Sequence, residues 1–392
     1  METGSLWVAA TLAGKAGPQP GVRVTVFDEA GLVVFRQETD AEGVARVGAL
    51  PAPDPALSLK PNPAARPYAV YSLLAECEGW QPLRMFGIQL FAGQRTVARI
   101  ALLPAAAALD TATLRAESEI TIPPHPLYAG GGGSGPAPAA GARVLGAVVI
   151  PRSITVHLGR PAENARNVTV RFQDYIANVA SSEVYPTWPE EALKANILAQ
   201  ISLALNRIWT EWYPSRGYSF NITGSPAVDQ AYTEGRTVYA VMERLTAELF
   251  NTYVRRSGDA EPYFTEYCDG KLVNCNGMSQ WGTVDRAREG KTALEILRYY
   301  YGSRVELARS TNLTDIPQSY PGAALRRGDT GTAVRTIQRQ LSRIAKDYPA
   351  FGKPAVTGTF DADTESSVRA FQRYFSLTAD GVVGRATWYK IS

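Results

Sequence analysis

The middle of the chain is dominated by residues 172–209, which read FQDYIANVASSEVYPTWPEEALKANILAQISLALNRIW. Apolar residues recur in the second half of this stretch at spacings of 4, 4, 4 and 3, close to one helical turn. They are Leu193, Ile197, Ile201, Leu205 and Ile208. The pattern predicts one helix from about Pro189 to Trp212 with a single apolar face.

Two signals mark the start of this helix. Thr187 precedes Glu190 by three residues, the spacing of a capping box, and Pro189 suits a first turn, where its missing N–H is not needed. Two further helices are indicated by Val238, Val241, Leu245 and Leu249, and by residues 292–300. Together with extended segments they predict a mixed α+β unit.

Length and composition limit the classes of protein to which the chain can belong. Of its 392 residues, 45% are apolar and 20% charged, so we expect three folded units rather than a disordered or coiled-coil chain. The net charge of +3 is too small to indicate nucleic-acid binding. No apolar run reaches the ~18 residues of a membrane span, and the first residues lack the pattern of a secretory signal.

The first 110 residues read as β-structure. Val22–Phe27 and Leu32–Phe35 are short β-branched runs separated by a turn signal, which predicts a β-sandwich over residues 1–110. Residues 39–47 resemble the turn of carboxypeptidase regulatory-like sandwich modules. We assign no chemistry to this unit.

Composition changes divide the rest of the chain. Residues 111–143 are rich in Gly, Pro and Ala, which predicts a flexible linker. The mixed unit occupies residues 144–309. A further unit at residues 321–392 contains eleven Lys/Arg against six Asp/Glu, a local basic bias that suits an anionic polymer or a solvated surface.

The last unit has its own helical pattern and an internal repeat. Apolar residues at helical spacing are Val334, Ile337, Leu341 and Ile344, and then Val368, Phe371, Phe375 and Leu377. Gly-x-apolar-x-x-x-Thr occurs at residues 358–364 and again at 381–387. Residues 325–341, LRRGDTGTAVRTIQRQL, and residues 380–388 resemble the peptidoglycan-binding type 1 domain. The resemblance implies a small three-helix unit that binds bacterial cell-wall peptidoglycan, in which we expect Trp388 to be buried.

Three segments of the central unit resemble the stage II sporulation protein D (SpoIID) family. They are residues 173–195, residues 277–282 (GMSQWG) and residues 295–302 (EILRYYYG). The resemblance implies a lytic transglycosylase, which cleaves the MurNAc–GlcNAc bond of peptidoglycan without water and leaves a 1,6-anhydromuramic end.

Glu183 is the predicted catalytic residue. Glycosidic cleavage needs an acid that is still protonated near neutral pH, and burial or a helix C-terminus makes a carboxyl such an acid. Glu183 ends a short amphipathic stretch that begins at Phe172. One carboxyl can suffice, because the nucleophile is the 6-hydroxyl of the sugar itself.

The resemblance also implies several substrate-binding residues. Lys194, eleven residues after Glu183, is expected to contact a substrate carboxylate or acetamide, although a solvated helix face is its ordinary place. Ser279, Gln280 and Trp281 are expected to line the sugar groove, with core packing as the alternative for Trp281. Tyr175 is a further candidate, or a helix-core aromatic.

The chain departs from the SpoIID pattern at two places. Ile201 stands where typical members have an arginine, and Asn276 stands where some have a histidine. The two histidines and three cysteines are too few and too scattered for a local zinc site of the usual spacing, so we predict no metal and no cofactor. A tight hairpin turn at Asp269–Gly270 would place Cys268 opposite Lys271, so whether Cys268 pairs with Cys275 stays open.

Residues 155–392 resemble SleC-type spore cortex-lytic enzymes, which are made as inactive precursors. The likeness implies action on spore-cortex peptidoglycan during germination, a location in the spore cortex or cell wall, and an N-terminal prosegment of about 140 residues removed by a subtilisin-like protease. Two alternatives remain. One is a non-catalytic wall-binding scaffold, and the other is a peptidoglycan amidase, which usually needs a metal with histidine ligands.

Overall fold

The computed structural model describes residues 2–13, 17–105, 118–129, 147–314, 321–345, 349–374, 378–384, 387–388 and 391. The strands are β1 (Glu2–Leu12), β2 (Arg23–Phe27), β3 (Val33–Glu38), β4 (Val44–Ala52), β5 (Ala69–Glu76), β6 (Leu83–Leu90), β7 (Arg95–Leu102), β8 (Glu119–Thr121), β9 (Ile150–Pro151), β10 (Ser153–His157), β11 (Asn167–Arg171), β12 (Ile222–Thr223), β13 (Val238–Tyr239), β14 (Thr252–Arg256), β15 (Tyr267–Cys268), β16 (Met278–Ser279), β17 (Val305–Arg309) and β18 (Leu313–Thr314). The α-helices are α1 (Pro126–Ala129), α2 (Phe172–Glu183), α3 (Glu190–Trp209), α4 (Ala240–Leu249), α5 (Gln280–Arg288), α6 (Ala293–Tyr301), α7 (Thr332–Ile344) and α8 (Ala362–Tyr374). Across these described ranges, no helix combines the length and apolar composition needed to cross a membrane.

The N-terminal part folds as two packed sheets. Their strand orders are β13-β7-β1-β4 and β3-β2-β5-β6-β8. In β1, Leu6, Val8, Ala10 and Leu12 are buried while the residues between them are half-buried, the period-two pattern of a strand with one face on a core. Both sheets contribute to one apolar core, so this part of the chain is a β-sandwich.

Residues 118–129 are folded, although they lie within the predicted linker at 111–143. β8 pairs in parallel with β6, and Ile122 is buried in the core of the sandwich. His125 and Leu127 are buried as well. Burial of these side chains offsets the entropy lost on ordering the segment, so the linker prediction does not hold for 118–129. The rest of that linker lies outside the described residues.

The sandwich and the central unit share a sheet and a core. β13 pairs antiparallel with β7, with Val238 opposite Val97. Tyr68, Phe91 and Leu127 belong to the same apolar cluster as the helices of the central unit. The two parts therefore bury surface against each other, which the sequence does not predict.

Helix α3 forms the centre of the mixed unit. It begins at Glu190 and ends at Trp209, which confirms the predicted helix but shortens it at both ends. Helices α2, α4, α5 and α6 and strand β14 all pack on it. Because 17 of its 20 residues are buried, α3 is covered on every face rather than on the single apolar face that the spacing indicates.

The predicted capping box at the start of α3 is wrong. The N-cap residue is Pro189, which makes no side-chain cap hydrogen bond. The Thr187 hydroxyl lies instead 2.6 Å from the hydroxyl of Ser58 in the sandwich. A capping box does occur at α6, where Thr292 and Glu295 satisfy each other's backbone N–H groups.

The segment after Cys268 is not a hairpin. β15 and β16 pair in parallel, with Tyr267 opposite Met278. The carboxylate of Asp269 accepts three consecutive backbone N–H groups, from Lys271, Leu272 and Val273, which turns the chain. Cys268 and Cys275 form a disulfide with their Cα atoms 6.1 Å apart, which settles the pairing that the sequence leaves open.

The C-terminal unit packs α7 and α8 around a separate apolar core. Gln338 and Gln372 hold the two copies of the Gly-x-apolar-x-x-x-Thr repeat in the same way: each side-chain amide donates to a backbone carbonyl and a threonine hydroxyl and accepts from the glycine N–H. Trp388 is 1% exposed, as predicted. Phe375 and Leu377, at the end of the second predicted helix, lie outside the described residues. Thr387 and Trp388, in the region of the expected third helix, are described and are helical.

Candidate active site

Glu183 is the last residue of α2 and is only 7% exposed. The helix ends there because Val184 adopts an extended conformation, which directs the chain toward α3. The negative end of a helix dipole and the loss of water both disfavour a charged carboxylate. The position of Glu183 thus matches the environment expected from the sequence.

Four hydrogen-bond donors surround the carboxylate of Glu183. The backbone N–H of Ala231 lies 2.9 Å from Oε1, and Nε2 of Gln200 lies 2.9 Å from Oε2. Nε2 of Gln280 is farther from Oε2, at 3.5 Å. The hydroxyl of Tyr267 makes the fourth hydrogen bond. These donors come from three helices or strands and one loop, so the tertiary fold assembles the site.

Burial raises the pKa of Glu183 to about 7. The hydrogen bonds from Ala231, Tyr267 and Gln200 act in the opposite direction, because each favours the charged form. Loss of solvation is the larger effect. Glu183 can therefore be protonated at neutral pH and still exchange its proton, the property that an acid/base catalyst needs.

A second layer of hydrogen bonds holds the first. Nε2 of Gln230 donates to the Tyr267 hydroxyl at 3.0 Å and to the Gln200 carbonyl oxygen at 3.1 Å. The hydroxyl of Tyr175 donates to Oε1 of Gln230 at 2.8 Å. Tyr175 is fully buried, so it does not line a groove and instead supports the Glu183 site through Gln230.

The structure does not bring all of the other predicted substrate residues into contact with Glu183. Gln280 makes this contact, at the start of α5. Trp281 is 4% exposed and packs against Trp188 with a centroid distance of 4.9 Å, so it belongs to the core. Ser279 is the N-cap of α5 and accepts the N–H of Gly282.

Lys194 is part of an ion-pair group on the first turns of α3. Its Nζ lies 2.9 Å from carboxylate oxygens of Glu190 and of Glu191. The side chain is 26% exposed. It is engaged by acidic neighbours rather than by the carboxylate of Glu183, so a substrate group would have to compete with them.

The sandwich holds the segment that follows Glu183. Nε1 of Trp188 donates to the carbonyl oxygen of Ser58 at 2.9 Å. The ring of Tyr185 packs on Phe91 at 5.3 Å and on His125 at 4.6 Å between centroids. The segment that follows Glu183 is thus positioned in part by residues of the N-terminal part.

Sequence reasoning missed Gln200, Gln230, Tyr267 and the backbone of Ala231. One signal was available for Gln200, a polar side chain in a run of buried apolar residues directly before Ile201. A buried amide in such a run needs a partner. Gln230, Ala231 and Tyr267 lie in irregular or two-residue elements, where the sequence gives no periodicity to place them.

Two families match separate parts of the chain. Residues 163–254 match the family described as Stage II sporulation protein, SpoIID, and residues 330–391 match the family described as "Putative peptidoglycan binding domain". Each match covers less than half of the chain. The chain thus combines a SpoIID domain with a peptidoglycan-binding domain, a composition that indicates a function on cell-wall peptidoglycan.

Curated relatives also match limited stretches of the chain. N-acetylmuramoyl-L-alanine amidase CwlM of Mycobacterium tuberculosis is 35% identical over 77 residues, 18% of this chain and 19% of CwlM. Zinc D-Ala-D-Ala carboxypeptidase of Streptomyces albus G is 38% identical over 68 residues, 17% of this chain and 25% of that protein. The chain therefore spans a quarter or less of the length of these relatives.

A solved structure also resembles part of the chain. The TIE protein of Bacillus anthracis aligns with 26% of this chain and 17% of its own, at 18% identity and a TM-score of 0.19. This likeness is too low to support an argument about fold or function.

Proposed function

We propose that the protein is a lytic transglycosylase that cleaves MurNAc–GlcNAc bonds of spore-cortex peptidoglycan during germination. One observation carries the proposal: a buried carboxyl, Glu183, with a pKa raised to about 7 and fixed by hydrogen bonds to Gln200, Tyr267 and Ala231. The match of residues 163–254 to SpoIID supports the same site.

Glu183 performs both proton transfers in this mechanism. Its carboxyl proton passes to the glycosidic oxygen as the bond from that oxygen to C1 of MurNAc breaks. The C6 hydroxyl oxygen of the same sugar then bonds to C1, and its proton passes to the Glu183 carboxylate. No water is consumed, and the enzyme returns to its protonated form with a 1,6-anhydromuramic product.

The remaining parts of the chain bring Glu183 and its substrate together. The C-terminal unit binds peptidoglycan, which places the enzyme in the cortex or cell wall. Lys194 and Ser279 are the candidate substrate contacts, because both keep part of their surface accessible. Gln280 contributes by holding the catalytic carboxyl.

We further propose that the protein is made as a zymogen. Contacts of Ser58, Phe91 and His125 with the segment after Glu183 support this idea, because they couple the N-terminal part to the catalytic segment. Cleavage by a subtilisin-like protease near residues 130–143 would separate the prosegment from the catalytic part in sequence. Digestion of cortex by the cleaved protein and not by the full chain is the expected result, and equal activity of both forms would refute the zymogen proposal.

The test of the transglycosylase proposal is product analysis. Glu183→Gln protein, cleaved in the same way as wild type, should bind cortex but release no anhydromuropeptides detectable by mass spectrometry. Glu248→Gln, at an exposed site on α4, is the matched control and should retain release. Undiminished release by Glu183→Gln would reject the proposal.

A non-catalytic wall-binding scaffold is the second candidate. The small exposed fraction of Glu183, 7%, favours it, because a sugar must reach the carboxyl to react. The scaffold predicts sedimentation with peptidoglycan and no product from full or cleaved wild-type protein. The same mass-spectrometric experiment therefore separates the two functions.

A further inference from the structure

The side-chain amide of Gln200 makes one hydrogen bond among the described residues, although an amide can make several. It is 1% exposed, and Nε2 donates to Oε2 of Glu183 at 2.9 Å. Its Oε1 is buried and has no hydrogen-bond partner among the residues that the structure describes. An amide oxygen without a partner in a dry site is costly, so its retention beside the catalytic carboxyl calls for an explanation.

The protonated form of Glu183 poses a problem that the other donors do not solve. A protonated carboxyl has an O–H that needs an acceptor. The backbone N–H of Ala231 can only donate, and the Tyr267 hydroxyl already donates its single proton to the Glu183 carboxyl, so it can accept from Glu183 only by redirecting that proton. Gln280 is at the 3.5 Å limit of hydrogen-bond distance.

Rotation of the Gln200 amide would supply this acceptor. A half turn about its last side-chain bond exchanges the oxygen and the nitrogen, which brings Oε1 to about 2.9 Å from Oε2 of Glu183, a normal O–H···O distance. Glu183 is the partner of this amide within the described residues, so the turn breaks no other hydrogen bond there.

We propose that Gln200 is a positioning residue that follows the protonation state of Glu183: its amide donates to the charged carboxylate and, after a half turn, accepts from the protonated carboxyl. The proposal rests on Glu183 acting as acid and then as base. Gln200 is buried and does not touch the sugar. Its role is to keep the carboxyl in one orientation through both proton transfers.

The experiment is an NMR titration of the full chain with ¹³C-labelled glutamate and ¹⁵N-labelled glutamine side chains. Signals of Glu183 and Gln200 are assigned by their absence in Glu183→Gln and Gln200→Met. The hydroxyls of Tyr267 and Tyr175, which lie nearest, stay neutral because burial raises the pKa of each well above its ordinary value. In wild type, the two assigned signals should shift with a common midpoint.

Gln200→Met is the decisive variant, because it removes the amide and keeps most of the volume. Both forms of Glu183 then lose one hydrogen bond, so its midpoint should move by less than about half a pH unit. With cleaved protein, kcat should fall by about 10-fold while KM is unchanged, because the acid is no longer oriented. If Gln200→Met does not fold, Gln200→Asn takes its place, because it shortens the side chain by one methylene and so moves the amide away from Glu183.

Asn206→Leu provides the matched control. Asn206 lies on the same helix and is buried, and its side-chain oxygen likewise has no partner among the described residues. Its side-chain nitrogen, however, donates to the carbonyl oxygen of Pro262 and not to Glu183. Its replacement should leave the Glu183 titration and kcat unchanged.

Two results would overturn the proposal. A Gln200 signal that does not follow the Glu183 titration would show that the amide does not respond. A rise of about one pH unit or more in the Glu183 midpoint of Gln200→Met would show that Gln200 only donates. Neither result depends on catalysis, whereas failure of the transglycosylase proposal appears in the mass-spectrometric test of Glu183→Gln.

Discussion

The indole nitrogen of Trp188 donates to the carbonyl oxygen of Ser58 at 2.9 Å, which links the segment after Glu183 to the N-terminal sandwich. The two residues are 130 positions apart in the chain. Together with the pairing of β7 and β13, this bond makes the sandwich a structural neighbour of the segment that follows Glu183.

Cleavage of the chain within residues 130–143 should leave the two pieces associated. Their contact includes the β7–β13 pairing and the packing of Phe91 on Tyr185 and Tyr239. We expect both pieces to elute together in size-exclusion chromatography and to separate in urea. Phe91→Ala, which removes buried contacts worth roughly 3–5 kcal/mol, should release the N-terminal piece.

Phe35→Ala is the control for that experiment, because Phe35 packs on the core of the sandwich and not on the central unit. It should leave the cut pieces together. Separation of wild-type pieces in native buffer would contradict the prediction.

Replacement of Glu183 should stabilise the protein at alkaline pH. The pKa of Glu183 is raised from 4.5 to about 7, so the folded state binds the proton more tightly than the unfolded state. Stability therefore falls as pH rises from about 4.5 to about 7, by roughly 3 kcal/mol in total. Glu183→Gln removes this loss, so its advantage over wild type in urea unfolding should grow between pH 5 and pH 8. An advantage that is constant with pH would contradict the raised pKa.

In the proposed mechanism, the same carboxyl sets the pH dependence of catalysis. The first step needs protonated Glu183, so kcat/KM of the cleaved enzyme should decline as pH rises through about 7. The measurement is the initial rate of anhydromuropeptide release between pH 5 and pH 9. A rate that stays constant to pH 9 would exclude Glu183 as the acid.

His125 should make the protein sensitive to acid. Burial, together with the nearby cation of Arg236, holds the pKa of His125 well below its usual value. The imidazole packs on the ring of Tyr185, its Nδ1 accepts the backbone N–H of Leu127, and it also hydrogen-bonds to the backbone of Val184. Below pH ~6.5 the unfolded state takes up a proton and the folded state does not. The free energy of unfolding therefore falls by about 1.4 kcal/mol for each unit by which the pH is lowered in this range.

His125→Phe keeps a ring against Tyr185 and removes the titrating group. Its unfolding free energy, measured in urea at pH 5, 6 and 7.5, should depend less on pH than that of wild type. Identical pH dependence in the two proteins would reject the assignment.

Loss of the Cys268–Cys275 disulfide should destabilise the protein. Its two cysteines are seven positions apart, and closing such a loop in the unfolded chain corresponds to about 2–3 kcal/mol. The paired replacement of both cysteines by alanine should lower the thermal midpoint, measured by calorimetry. The single change Cys77→Ala, at the free cysteine, is the control and should leave it within error.

The sequence predicts elements with strong periodicity and misses contacts between distant segments. α3 and the burial of Trp388 follow from helical spacing, and the position of Glu183 at the end of α2 follows from an amphipathic stretch. The partners of Glu183 come from segments up to 97 positions away, so apart from the polar Gln200 within an apolar run no local pattern reveals them. Thr187 shows the opposite error, since its spacing fits a cap but tertiary contact with Ser58 takes its hydroxyl.

Strand β13 covers one edge of the sandwich sheet, which affects how the two pieces behave once they are separated. Without β13, β7 would be the outermost strand of its sheet, with backbone N–H and C=O groups open to any extended segment. Exposed strand edges of this kind favour association with other chains. A piece comprising residues 2–129 prepared alone should therefore tend to self-associate, and the central unit shields that edge for as long as the two remain together.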